Sequence, residues 1–297
     1  MLPGDAAPDP DAVVQAGRDA VARALAEDLA DAGDVTARAT IPADAAGRAE
    51  LVSRADGVVA GLWLVVEVYA QLDPEVAVAL LASDGDRVAA GDVLATVTGP
   101  LRSILTGERT ALNLVTHLSG VATATRVLVD AVAGTGCVVR DTRKTIPGMR
   151  LLQKAAVAAG GGVNHRLGLS DALLVKDNHV AAAGSVTAAV EAALAGAAGR
   201  HVQVEVDSLA ELDEAIAAGA RDVLLDNLDP EVTRQAVERC RVRSDEHGER
   251  ILLESSGTIR HDTVRAYAEA GVDRVAVGAI THSAPQLDLA LDVALEA

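Results

Sequence analysis

The positive charge of this sequence is concentrated where its residues are best suited to chemistry. Between Arg140 and Lys176 lie seven Arg or Lys (140, 143, 144, 150, 154, 166, 176) against two Asp (141, 171), a local net of +5 in 37 residues. The whole 297-residue chain has a formal net charge of −17, so the cluster is a local anion-binding signal in an acidic protein. Arg150 and Lys154, four apart, fit a solvated helix face. The others fit it less well. DTRKTIPGMR sets Arg143 and Lys144 side by side in a loop, a geometry suited to one bidentate carboxylate contact and one point-charge phosphate contact. GGGVNHRLGLSDALLVKDNH then adds His165, Arg166 and Lys176 after glycines that let backbone and ligand approach closely. Together these cations suffice for one substrate with two carboxylates and a second with phosphates. Burying them without anions would be costly.

Acidic and backbone groups complete the pattern. Glu205 and Asp226 close the runs VQVEV and DVLLDN. Hard carboxylates near phosphates suit Mg²⁺, which keeps most of its waters; they equally suit ribose hydroxyls, and the blandest reading pairs them with the nearby cations. ESSGTI offers Ser256, Gly257 and Thr258 as a turn of backbone N–H groups, and VGAITHS places Gly278 at a strand end. Loops after the last strands of a parallel barrel are frequent phosphate sites. His282 either assists there or is a surface histidine. Arg109 is expected in the first turn of a long helix from about Glu108 to Ala133, where the dipole disfavours a cation unless an anion compensates. GxSxG, P-loop and HExxH motifs are absent from the sequence, and no third residue is evident to orient a base, so the expected chemistry is electrostatic.

These residues need elements to hold them. From about residue 137, short β-branched runs alternate with Ala-rich helical segments, the pattern of βα units around a parallel sheet. The strand candidates are CVVRD, ALLVKDN, VQVEV, DVLLDN, ILLESSG and RVAVGAI, nearly continuous apolar runs of the kind buried on both faces. Helices are expected near 208–218, 230–239 and 260–269, with Gly219 and Gly271 near two of their ends. Each run leads into polar residues, and in a parallel barrel the carboxyl ends of the strands share one face. About six repeats, short of eight, predict an open, incomplete α/β barrel. The N-terminal part predicts a separate α+β domain: an amphipathic helix over about 11–30 with Val14, Val21, Leu25 and Leu29 on one face, then strands, turns and a helix near 61–72. Within it, DGDRVAAGDVLATVTG has the rhythm of biotinyl or lipoyl carrier domains. No lysine lies between Arg54 and Arg102 to be modified, so the rhythm is structural.

Composition narrows the class. Half of the residues are apolar, enough for one large domain or two moderate ones with buried cores. The opening MLPGDAAPDP lacks the features of a signal peptide, and no apolar run approaches membrane-spanning length, so a cytoplasmic protein without a membrane partner is expected. The acidity excludes the broad basic face that nucleic acid requires. Cys137 and Cys240 support neither a disulfide framework nor a zinc site.

GERTALNL, LSGVAT, DTRKTIPGMR, GGGVNHRLGLSDALLVKDNH, LLDN, LESSG and VGAITHSAP occur in this order, and with GDVT near residue 33 they resemble the quinolinate phosphoribosyltransferase family. The resemblance implies an N-terminal α/β sandwich domain (1–118, joined by 284–297), an open seven-stranded α/β barrel (119–283), and a homodimer with shared active sites. It implies transfer from phosphoribosyl pyrophosphate to quinolinate with loss of CO₂, giving nicotinate mononucleotide and pyrophosphate in NAD biosynthesis. By motif, Arg143, His165 and Arg166 would bind quinolinate, with Arg109 arriving from the partner subunit, and Thr142 is a further substrate-binding residue. Lys144 and Lys176 would line the pocket between the substrates. Glu205 and Asp226 would hold ribose hydroxyls and, indirectly, the Mg²⁺ of the pyrophosphate. Ser256, Gly257, Thr258 and Gly278 would cradle the 5′-phosphate. His117 departs from the polar residue expected at its helix position. A pyrophosphorylase-like relative with another acceptor and a carrier protein of biotinyl type are the alternatives.

Overall fold

The computed structural model describes residues 2–294. In chain order its elements are α1 (Pro10–Leu29), α2 (Val35–Thr40), β1 (Ala46–Ser53), β2 (Gly57–Val58), α3 (Trp63–Leu72), β3 (Ala77–Leu80), β4 (Arg87–Val88), β5 (Val93–Pro100) and α4 (Leu101–Ala131). Then come β6 (Val138–Arg140), α5 (Arg150–Ala159), β7 (Ala172–Val175), α6 (Asp177–Ala183), α7 (Val186–Gly196), β8 (His201–Val206) and α8 (Leu209–Ala217). The last are β9 (Asp222–Asp226), α9 (Pro230–His247), β10 (Leu252–Ser256), α10 (His261–Ala270), β11 (Arg274–Ala276), α11 (Ala279–His282) and β12 (Leu289–Ala294). They form two compact units that interleave in sequence: 8–126, 145–161 and 280 onward in one, and residues up to 7, 127–144 and 162–279 in the other.

The first unit is built on an antiparallel sheet in the order β12-β1-β5-β3, with a separate β2-β4 ribbon. Leu51 of β1 stands opposite Leu291 on one side and Ala95 on the other, so the C-terminal strand extends the N-terminal sheet. Helix α1 starts where Asp9 accepts from the Asp11 amide and Pro10 occupies the first turn, where the missing N–H costs nothing. Its buried stripe is Gly17, Ala20, Val21 and Leu25, while Val14 is 37% exposed. Gly17 belongs to that stripe because a Cβ there would lie 2.0 Å from the Trp63 ring, so the indole packs directly on the helix backbone. Val14, two turns ahead of Val21 on the same face, is exposed in the first turns of the helix. The biotinyl-like rhythm resolves into turns, with Gly85 and Gly91 both at φ +97.

The second unit carries a parallel sheet in the order β6-β11-β10-β9-β8-β7, and its six strands fall on the six expected runs. Helices cover its outer face through residues such as Val190, Ala215 and Val264. The pairing of the first strand, β6, with the last, β11, is what closing a barrel requires. The seventh strand implied by resemblance is reduced to a bridge: Val163 pairs parallel with Arg140, donating to the Val139 carbonyl and accepting from the Asp141 amide at 2.9 and 3.1 Å. Among the described residues no ladder joins Val163 to β7, which leaves the barrel open there.

The strands are not apolar on both faces. With side chains alternating along each strand, Val204, Val206, Val223, Leu225, Leu253 and Val275 are buried on one face. The alternate positions, Arg140, Gln203, Asp222, Glu254 and Arg274, are also buried. Arg140 Nη1 donates to Glu254 Oε2 at 2.6 Å, and Arg274 Nη1 to Asp222 Oδ2 at 2.8 Å. The N-terminal segment joins them: Asp5 accepts from Arg274 Nε at 3.0 Å, lies 3.6 Å from Arg140 Nε, and the Pro3 and Gly4 carbonyls accept from Arg274 and Arg140. Such ions are tolerable in a dry interior because each has an opposite charge in contact. No single helix among the described residues is long and apolar enough to cross a membrane.

Candidate active site

Above this charged layer, within the second unit, lies a cavity of about 620 Å³. Its floor includes Leu174, Leu224, Glu254 and Ala276, and its walls are the polar residues at the strand ends. Two-residue periodicity explains the assembly. Glu205, Asp226 and Ser256 are the last inward positions of β8, β9 and β10, with Ser256 opposite Asp226 and Glu205 opposite Leu224. Lys176 follows β7 directly, and its ammonium is paired with the Glu205 carboxylate.

Asp226 and the Ser256–Thr258 turn are held together by Asn227. Its backbone sits at φ +55, its amide N–H donates to the Ser256 carbonyl at 3.0 Å, and its Nδ2 donates to Asp226 Oδ2 at 2.8 Å. Gly257, at φ +124, leaves room for this, since a Cβ there would fall 2.3 Å from Asn227 Oδ1. Asn227 and Glu254 line the cavity although sequence reasoning did not select them. The signal for Asn227 was its place after the strand, since Asn tolerates left-handed backbone.

Thr142, Arg143, Lys144, His165 and Arg166 form the cationic wall. Arg166 is 7% exposed and donates Nη1 to the Ala172 carbonyl at 3.0 Å, but its buried Nε has no partner. Arg143 Nε is likewise buried and unpartnered. Burial and, next, the Arg143 charge push the Arg166 guanidinium below its ordinary pKa, with Asp171 opposing them. Two guanidiniums repelling each other in a partly dry pocket form a site that an anion would stabilise. His165 beside them is buried, with its amide on Asp141 Oδ1 and its Nε2 on Gln203 Oε1, both at 2.8 Å.

Two expected residues lie elsewhere. Gly278 comes two residues after β11 and is not among the cavity-lining residues, where Ala276 is. Arg109 belongs to the first unit and is exposed. Because α4 begins at Leu101, Arg109 stands in its third turn, and the expected conflict with the helix dipole does not arise. His282 is exposed, 2.6 Å from the Ser283 hydroxyl. His117 faces Gln153 Nε2 at 2.9 Å, and burial lowers its pKa.

Among the described residues no group of three or more His, Cys, Asp or Glu could hold a metal. Glu205 and Asp226 share the cavity wall, and two carboxylates fit Mg²⁺ that keeps water and substrate oxygens as its other ligands, rather than an all-protein cage.

Comparison with known proteins places this geometry in a family. Residues 34–119 match the quinolinate phosphoribosyl transferase N-terminal domain, and residues 121–292 match the C-terminal domain. A nicotinate-nucleotide pyrophosphorylase (carboxylating) of Mycobacterium leprae is 47% identical over 285 residues, covering 95% of this chain and 99% of the relative. The structure of the nicotinate-nucleotide pyrophosphorylase of Francisella tularensis superposes with a TM-score of 0.89 at 40% identity, over 99% of this chain and 100% of that one. Human nicotinic acid phosphoribosyltransferase shares the fold at a TM-score of 0.63 and 18% identity, over 93% of this chain and 73% of that one. The fold alone therefore does not choose the acceptor.

Proposed function

The chain belongs to the quinolinate phosphoribosyltransferase family, and from that premise we propose how its residues divide the work of the reaction. The enzyme transfers the phosphoribosyl group of phosphoribosyl pyrophosphate to quinolinate with decarboxylation, a step of NAD biosynthesis. The observation that carries the division of roles is the buried Arg166 beside the half-buried Arg143, whose mutual repulsion a dicarboxylate relieves.

Quinolinate is held by Thr142, Arg143, His165 and Arg166, its ring nitrogen turned toward the ribose. Lys144 and Lys176 stand between the substrates. Glu205 and Asp226 take the ribose hydroxyls, while Ser256, Gly257, Thr258 and the chain at Gly278 receive the 5′-phosphate. The ring nitrogen attacks ribose C1 as pyrophosphate departs, a displacement that needs positioning and charge more than a base. The C2 carboxylate then leaves as CO₂, its bonding pair held at C2 by the cationic ring and quenched by a proton. Glu205 and Asp226 would hold a Mg²⁺ ion at the cavity wall, and that ion would supply charge neutralisation for the pyrophosphate.

The test is to mix protein, quinolinate, phosphoribosyl pyrophosphate and Mg²⁺ and to follow both products. CO₂ and nicotinate mononucleotide should appear in equal amounts, stop on chelation, and be nearly absent with nicotinate, which lacks the second carboxylate. Comparable turnover of nicotinate would remove the quinolinate assignment.

We also propose a homodimer in which Arg109 serves the partner's site, supported by its exposure on α4 with no hydrogen bond or ion pair among the described residues. Inactive Arg109→Ala and Lys144→Ala subunits, co-expressed, should then recover up to about half of normal activity per mixed dimer. An isolated heterodimer as inactive as its parents would exclude this. A cytoplasmic location completes the proposal: Cys137 and Cys240 are buried free thiols, which a reducing compartment keeps.

A further inference from the structure

Asn227 lines the cavity and has no part in the division of roles above. It follows Asp226, the last residue of β9, with its backbone at φ +55, a left-handed conformation that Asn enters more readily than most residues. Its side chain does more than tolerate that bend. Nδ2 lies 2.8 Å from Asp226 Oδ2, and a carboxylate oxygen only accepts, so the NH₂ end of the amide is the end that faces it. The carbonyl Oδ1 sits against Gly257, where a Cβ would lie 2.3 Å from it. The Asn227 backbone N–H donates to the Ser256 carbonyl at 3.0 Å, and Ser256 stands opposite Asp226 in the sheet. Asn227 therefore spans the ends of β9 and β10.

The two carboxylates of the cavity wall are oriented by different means. Glu205 is paired with the Lys176 ammonium. Among the described residues, the Asp226 side chain has the Asn227 amide as its one hydrogen-bond partner and no ion pair. An ammonium fixes a carboxylate and offsets its charge, whereas a neutral amide fixes it and leaves the charge whole. We propose that Asn227 is a positioning residue that acts through Asp226: its amide holds one oxygen of that carboxylate, so that an undiminished charge meets the phosphoribosyl donor in one orientation. The inference rests on Asp226 receiving the donor, as proposed above. A carboxylate has about four acceptor sites, so one bond to the amide leaves capacity for ribose hydroxyls. Gly257 supplies the space in which the amide sits.

Two variants separate the amide from the bend. In Asn227→Gly the amide is gone and the left-handed backbone is unstrained; in Asn227→Ala the amide is gone and the bend is strained as well. Binding of phosphoribosyl pyrophosphate is measured by calorimetry on the intact enzyme with Mg²⁺ and with phthalate in the quinolinate site, a dicarboxylate with no ring nitrogen to attack. Both variants should lose donor affinity by roughly three- to tenfold, while quinolinate affinity, titrated separately, stays within about twofold. In an Asp226→Ala background the same substitutions should change donor affinity by less than about twofold, because the amide then has no carboxylate to hold. Either variant serves alone if the other fails to fold.

Wild-type donor affinity in Asn227→Gly overturns the proposal and leaves Asn227 as a residue chosen for its backbone. An equal loss with and without the Asp226 carboxylate also overturns it, since the amide would then act on the ligand directly. So does a matching loss of quinolinate affinity, which would mean a general disturbance of the barrel mouth. A wild-type protein that binds quinolinate and no phosphoribosyl pyrophosphate is a distinct result: the donor assignment itself falls, and this inference with it.

Discussion

Two charged layers lie one above the other in the same barrel, and they differ in whether their charges are answered. In the lower layer, Arg140 and Arg274 are fully enclosed with Asp5, Asp222 and Glu254 in direct contact. In the mouth, Arg143 has no hydrogen bond or ion pair among the described residues, and Arg166 is offset by Asp171 alone while Arg143 repels it. Equal numbers of arginines in one interior thus serve opposite ends. The answered pair holds the barrel together, and the unanswered pair waits for a ligand whose charge completes it. A cluster of cations is therefore informative less by its size than by its missing anions.

The sharpest way to break this contrast is to mutate one arginine from each layer. Arg274→Met takes the guanidinium from Asp222, which keeps its contacts with His201 and Gln203, and leaves Asp5 with Arg140 as its one ion-pair partner among the described residues. Removing one member of a buried ion pair costs about 3–5 kcal/mol of stability, so chemical denaturation should show a loss of that order. A variant as stable as wild type would mean that the lower layer is not what holds the barrel.

Arg166→Met should behave in the opposite way, with a smaller free-energy change placed in catalysis instead of folding. Losing one charged contact lowers kcat/KM for quinolinate by roughly 1.5–3 kcal/mol, about 10- to 150-fold. Thermal stability should hold or rise, because the repulsion from Arg143 is relieved. A large loss of stability with normal catalysis would place Arg166 with the structural layer.

How much of this contrast was legible in the sequence follows from what local patterns carry. The six strands were visible as apolar runs, and the mouth residues as the polar groups that end them, because a parallel barrel brings every strand end to one face. The lower layer was not visible. Arg140, Gln203, Asp222, Glu254 and Arg274 sit singly inside or beside apolar runs, and only strand register shows that they meet. Asp5 was beyond reach for the same reason, since its partner Arg274 is 269 positions away. The seventh strand escaped because it is one bridge at Val163, too short to leave a period. The expected start of α4 lies seven residues late, Glu108 against Leu101, because Thr106 and Gly107, residue types that favour a helix start over its interior, stand just ahead of Glu108.

The finest separation of the two layers lies in their response to acid, and Asp222 is the group that reports it. Burial pushes its carboxyl upward, but the hydrogen bond from His201 and the charge and hydrogen bond of Arg274 outweigh burial, leaving its pKa below the ordinary value of 3.8. A carboxyl that ionises more readily in the folded chain binds fewer protons there than in the unfolded chain. Folding is therefore favoured by this group above the unfolded pKa, and the contribution disappears as pH falls through the folded one. Asp222→Asn removes the ionised form at every pH. Its stability should fall furthest below wild type near neutrality, and the gap should narrow as acid protonates Asp222 in the wild type. Arg166→Met keeps Asp222 and its partners Arg274 and His201, so the contribution of that titration cancels and its stability difference from wild type should not follow it. Urea denaturation at a series of pH values between neutrality and about pH 3 compares the three proteins directly. A gap for Asp222→Asn that stayed constant across that range would mean its ionisation is not coupled to the buried pair with Arg274, and the distinction between answered and unanswered charge would have to rest on catalysis alone.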